Sequence, residues 1–114
     1  INLGSVYENV VAQELKAHGQ ILYYYDNRQK GEVDFLIDDY SNLSILPIEV
    51  KSGKDYTTHS ALNNMLSIKD YNVHSAIVFS NNKEVICKKE VTYMPIYYVM
   101  FLNSIEEKKE NTIF

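Results

Sequence analysis

The chain has 114 residues, 46% hydrophobic and 23% charged, the balance of an ordinary globular domain rather than of a disordered or collagen-like chain. Its length fits a single domain over 1–114, and no apolar run approaches the roughly 18–20 residues of a membrane span. Cys87 is the only cysteine, which excludes an internal disulfide, and no second thiol or clustered histidine offers a zinc site. A net charge of −4 argues against a protein that grips nucleic acid by charge alone, because phosphate neutralisation supplies most of that affinity. Such binding would need a local patch, a metal or another domain. No basic and then apolar leader opens the chain, so a cytoplasmic location is expected, and Ile1 reads as the start of an excised fragment.

A helix is expected over residues 3–18, where Leu3, Val6, Tyr7, Val10, Val11 and Leu15 share one arc at about 100° per residue. Gly19 suits a left-handed terminus, with Lys16 and His18 in the last turn. Strands follow over residues 21–25, 32–37 and 45–51, separated by Asp26-Asn27 and by the turn-forming residues 39–42. Thr58 can cap a second helix with Leu62, Met65 and Leu66 inward. Residues 75–79 read as a buried strand. Residues 93–102 read as a last strand, with Pro95 marking an edge or bulge near its start. Ser104 and Glu107 have capping-box spacing for a short terminal helix. Helix, three strands, helix and two strands make an α/β domain whose helices pack on a mixed sheet.

The chemistry concentrates in Glu32-Val33-Asp34-Phe35-Leu36-Ile37 and Pro47-Ile48-Glu49-Val50-Lys51. If these strands form a hairpin with Asp38 opposite Ile45, Asp34 falls opposite Glu49 and Glu32 opposite Lys51. Opposed residues share a face, so the four charged residues would take one side. Val33, Phe35, Ile37, Ile48 and Val50 would take the other and build the core. A one-residue slip would bury the charges, which fixes the register. Two carboxylates about 5 Å apart repel by roughly 3 kcal/mol at an effective dielectric near 20. Lys51, a raised carboxyl pKa or a hard divalent cation would relieve that repulsion. Mg²⁺ suits such a place, since it takes oxygen ligands and keeps several waters for exchange with phosphate oxygens.

Asp34 followed by Glu49-Val50-Lys51, on adjacent strands after an N-terminal helix, resembles the PD-(D/E)XK nuclease superfamily. More narrowly, Tyr7-Glu8-Asn9-Val10-Val11, Leu22-Tyr23-Tyr24-Tyr25, the Glu32–Ile37 run and Ile48-Glu49-Val50-Lys51-Ser52-Gly53 look like a C-terminal module of bacterial and archaeal AAA+-type ATPases. The resemblance covers residues 4–79. It implies a restriction-endonuclease-like fold with core order αβββαβ, Mg²⁺ or Mn²⁺ as cofactor, DNA as partner, and an ATPase domain upstream in the same polypeptide. It further implies that Asp34 and Glu49 ligate the metal with the Val50 carbonyl, and that Lys51 acts on the attacking water or the phosphate. Glu8 matches a first-helix glutamate that some members add to the site. The contrasting expectation is a nuclease-like scaffold that binds a partner or regulates the ATPase without cutting.

Plainer roles compete for several of these residues. Glu49 and Lys51 could be solvated strand residues, with Lys51 paired to Glu32. Ser5 and Glu8 have the spacing of a capping box, which would fold Glu8 back onto its own helix end. Glu14 projects into the apolar arc and could snorkel, pair with a lysine or join the site. Lys54 lies outside any G-x-x-x-x-G-K-[ST] motif, so ATP hydrolysis by a P-loop is excluded for this segment. His18, His59 and His74 lack ligand spacing and are expected in surface or capping roles. Cys87 is expected as a small buried apolar residue. The tyrosines concentrate in strand runs, so sheet packing is expected of them rather than base stacking.

Overall fold

The computed structural model describes residues 3–101 apart from 28, 30 and 41. The first helix, α1, spans Leu3–Ala17 and stops in the manner its sequence foretells. Gly19 turns left-handed at φ 84°. Its N–H donates to the Lys16 carbonyl at 3.0 Å, and the Gln20 N–H donates to the Leu15 carbonyl at 2.9 Å. That pair of bonds satisfies carbonyls the helix end would otherwise orphan. Val11 and Leu15 are buried, whereas Val6 and Val10 stay 45% and 42% exposed. The apolar arc is thus wider than the face α1 buries. Its remainder lines a groove of about 680 Å³ with Tyr97 and Met100.

Three antiparallel strands follow: β1 at Tyr23–Asn27, β2 at Gly31–Asp39 and β3 at Ser44–Val50. The β2–β3 turn closes on Asp39, whose carboxylate accepts from the Asn42 N–H at 3.3 Å and from Asn42 Nδ2 at 2.8 Å. A second helix, α2 at Ser60–Ser67, crosses from β3 to β4 at Ala76–Ser80, which runs parallel to β3. Parallel neighbours need such a crossover. Then β5 at Ile86–Lys88 forms a hairpin with β6 at Val91–Pro95. The six strands stand in the order β1-β2-β3-β4-β6-β5. Up to β4 the chain follows the expected αβββαβ sequence of elements, and the fold is mixed α/β.

Both faces of the sheet are buried. Val11 and Leu15 of α1 pack with Phe35, Ile37, Ile48, Val50, Ile77 and Phe79 on one face. Leu62 and Met65 of α2 pack with Val33, Leu36, Ala76, Val78, Val91 and Tyr93 on the other. This explains why β4 is buried at every position and apolar from Ala76 to Phe79: alternate residues feed opposite cores.

Several expectations are corrected. Val33 joins the α2 core, not that of Phe35 and Ile37. The cause is a register shift: Tyr23 pairs with Leu36 but Tyr25 pairs with Val33, so β2 carries an extra residue and its faces switch. β1 starts at Tyr23 rather than at residue 21. Thr58 does not cap α2; the N-cap is His59, which makes no side-chain cap bond and shares a hydrogen bond between its ring and the Tyr93 hydroxyl instead. The last expected strand ends at Pro95 and continues as a 3-10 helix, Ile96–Phe101. Pro95 closes an interior strand, where no further ladder donor is needed. β5 escaped the sequence reading because its three residues lie among charged neighbours. Cys87, on this strand, is exposed. The terminal helix expected from Ser104 and Glu107 lies outside the described residues.

Candidate functional site

The β2–β3 register is the expected one as far as the ladder runs, but the four charged residues do not share one face: Ile48 and Val50 lie in the core under α1, so Glu49 between them turns to the side of Val78, its partner on β4. Phe35 faces Ile48, Ile37 faces Leu46 and Asp38 faces Ile45. Phe35–Ile48 is the last pair of this ladder, and immediately beyond it two side chains bond in its place. Asp34 Oδ2 accepts from the Val50 N–H at 2.7 Å. Glu49 Oε1 accepts from the Asp34 N–H at 3.2 Å. Each carboxylate therefore locks the backbone of the strand opposite, which fixes both where the strands part. Charge-assisted bonds of this kind are stronger than neutral ones, and here they offset part of the repulsion between the two carboxylates.

Lys51 and Glu8 complete the cluster. The Lys51 N–H extends the β3–β4 ladder by donating to the Phe79 carbonyl at 2.8 Å. Its Nζ lies 3.7 Å from Glu49 Oε2. Lys51 therefore neutralises its neighbour on β3, in place of the cross-strand pair with Glu32 that the plainer reading offered. Glu8 projects from α1 to Asp34, and the two carboxyls share a hydrogen bond. The capping-box alternative fails because α1 already begins at Leu3, which puts Ser5 inside the helix.

The electrostatics record how crowded these acids are. Glu49 is only 6% exposed. Burial, and then the charge of Asp34, push its carboxyl up to about 7 against the relief that Lys51 provides. The Glu8 carboxyl also rises to about 7, through its hydrogen bond to Asp34 first, then burial, then the charges of Asp34, Glu49 and Glu32. Metal-free, the cluster holds protons where a cation could supply the charge.

The donor set is all oxygen, which matches a hard cation. Among the described residues no three His, Cys, Asp or Glu side chains form a ready-made metal cage. Two carboxylates with exchangeable waters are what Mg²⁺ ordinarily takes, so Asp34 and Glu49 fit that cation. Val50 is held here by its own N–H on Asp34.

Other candidates fall elsewhere. Glu14 pairs with His18 at 3.4 Å on the surface of α1, away from the acids. His59 is buried, with Nε2 2.6 Å from the Tyr93 hydroxyl. Sequence reasoning missed Asn81, which follows β4 and donates from Nδ2 to the Ser52 carbonyl at 2.8 Å. It pins the segment just after Lys51, and its place could be found only by knowing that β4 lies beside β3.

One family model, a domain of unknown function (DUF4143), matches residues 3–99. The chain belongs to this family. The DUF4143 match spans α1, α2 and all six strands, so Glu8, Asp34, Glu49 and Lys51 all lie within the shared domain. No curated protein matches the chain. No described helix is long and apolar enough to cross a membrane.

Proposed function

We propose that this DUF4143 domain is a divalent-metal-dependent nuclease of the PD-(D/E)XK type, hydrolysing phosphodiester bonds, with DNA as substrate. In this reading it works in the cytoplasm beside an AAA+-type ATPase domain of the same polypeptide. The observation that carries the reading is the reciprocal lock of Asp34 and Glu49 on each other's backbone, with Lys51 on Glu49.

In this account Asp34 and Glu49 hold Mg²⁺ or Mn²⁺, with the Val50 carbonyl as a further oxygen. When bound, the cation lowers the pKa of water and stabilises charge on the phosphoryl oxygens. Lys51, part-exposed beside Glu49, orients the attacking water or offsets charge on the phosphate. Glu8 keeps its proton up to about 7 beside Asp34, and a cation held there would favour its ionised form. The lock keeps both carboxylates in place before the cation arrives, which lowers the cost of organising them.

The net charge of −4 favours the second reading, a nuclease-like scaffold that binds a partner or regulates the ATPase. The two readings separate in a cleavage assay with labelled DNA and Mn²⁺. A nuclease loses at least about 100-fold of its rate in Asp34→Asn, a loss typical of removing a group that acts in the transition state, while retaining its fold. Cleavage indifferent to Asp34→Asn, or to chelation of the metal, would overturn the assignment.

A further inference from the structure

The extra residue in β2 places one side chain beside the acids that the reaction chemistry leaves unused. Because Tyr23 pairs with Leu36 and Tyr25 with Val33, Tyr24 stands opposite Asp34 and Phe35 together. Its ring meets the Phe35 ring in a T-shaped contact, centroids 6.0 Å apart and planes at 61°. Phe35 belongs to the core under α1, and Asp34 bonds Glu8 of α1. Tyr24 and Asp34 therefore share the α1 side of the sheet. Tyr24 nevertheless remains 67% exposed, on a strand that forms one edge of the sheet.

Neighbouring tyrosines are used differently. Tyr25 packs its ring against Tyr71, and Tyr93 is buried among Tyr56 and His59. Tyr24 alone of these stands open next to Asp34. We propose that Tyr24 is a stacking platform for an unpaired nucleobase adjoining the phosphate engaged at Asp34 and Glu49, so that the substrate is nucleic acid with a single-stranded segment at the site. This rests on the nuclease reading above.

Two physical arguments support it. A domain of net charge −4 gains little from phosphate neutralisation, so an uncharged contact has to supply much of its hold. Base stacking on an aromatic ring does so for any base sequence. Bases inside a duplex already stack on each other and would have to be extruded to reach a side chain, which selects the unpaired strand.

The chain contains no tryptophan, so Tyr24→Trp introduces a single indole reporter. Its fluorescence is titrated with oligothymidylate of about 12 nucleotides in Ca²⁺, which takes oxygen ligands as Mg²⁺ does. The proposal expects saturable quenching, little with the matching duplex, and none in Tyr40→Trp, an equally exposed position (66%) at the β2–β3 turn. Absent quenching, equal quenching at the two positions, or equal quenching by duplex would overturn it. Tyr24→Ala gives a second reading by anisotropy of a labelled oligonucleotide: binding weakens roughly 5- to 100-fold. Unchanged affinity there would equally overturn the proposal. Cleavage that needs Asp34 together with a silent indole would discard the platform and keep the nuclease; quenching without cleavage or metal binding would do the reverse.

Discussion

Glu49 carries the tension of the site in one side chain. Its carboxyl, like that of Glu8, keeps its proton up to about 7 in the fold against an ordinary value of 4.5. Between these values the folded chain binds more protons than the unfolded one. The stability these groups contribute is thus complete below about pH 4.5 and is lost as pH rises through about 7. Metal-free protein should melt at a lower temperature at about pH 8 than at about pH 5.5, and Glu49→Gln should flatten that dependence. Gln retains the oxygen that accepts from Asp34 but carries no charge. Thermal melts followed by circular dichroism check this, and a melting temperature that rises with pH over the interval would contradict it. Alternation in both strands already gave the register from Phe35–Ile48 to Asp38–Ile45 and brought Asp34 near Glu49, but not the loss of a shared face where the ladder ends. The sequence could not show that each acid bonds the other strand's backbone, since that depends on where the ladder ends. Nor could it choose between the two poses of Glu8, because helix boundaries read from sequence are uncertain by a residue or two and the choice turns on Ser5 lying inside α1.

Among the elements, the strands with clear alternation or continuous apolar character were legible, and those governed by long-range contacts were not. β4 could be read from Ala76 to Phe79 because a strand buried on both faces is apolar throughout. The shift in β2 was hidden: nothing in Val33-Asp34-Phe35 marks an extra residue, and only pairing with β1 reveals it. The first residue of β2 comes up against α2. Gly31 has φ 90°, and a Cβ built there would lie 2.9 Å from the Ala61 Cβ. Gly31→Ala should therefore destabilise by about 1–3 kcal/mol, from the left-handed backbone and the collision together. Pairing it with Ala61→Gly should recover the steric part, so the double mutant falls short of additivity by roughly 1 kcal/mol in denaturant titrations. Strict additivity would mean that Gly31 and Ala61 do not touch.

The molecule as a whole is a mixed sheet buried by α1 on one face and α2 on the other. This arrangement gathers the acids at the place where β2 and β3 part. α1 contributes Glu8, β2 contributes Asp34, and β3 with its continuation contributes Glu49 and Lys51. A site drawn from three elements is only as well formed as the packing that joins them, and Val11, Leu15, Phe35, Ile48 and Phe79 supply that packing. The class of fold and the αβββαβ core were visible in the order of patterned segments. The hairpin of β5 and β6 was not, since a strand as short as Ile86–Lys88 has no periodicity of its own. The central claim is that the acids gathered here form a cation site. Calorimetric titration of Mn²⁺ into this chain and into its Asp34→Asn variant tests it most directly. The account predicts binding to the parent chain that is lost in the variant, while the variant keeps its fold because Asn can still accept from the Val50 N–H. Binding that survives Asp34→Asn unchanged, or no binding by the parent at millimolar metal, would contradict it.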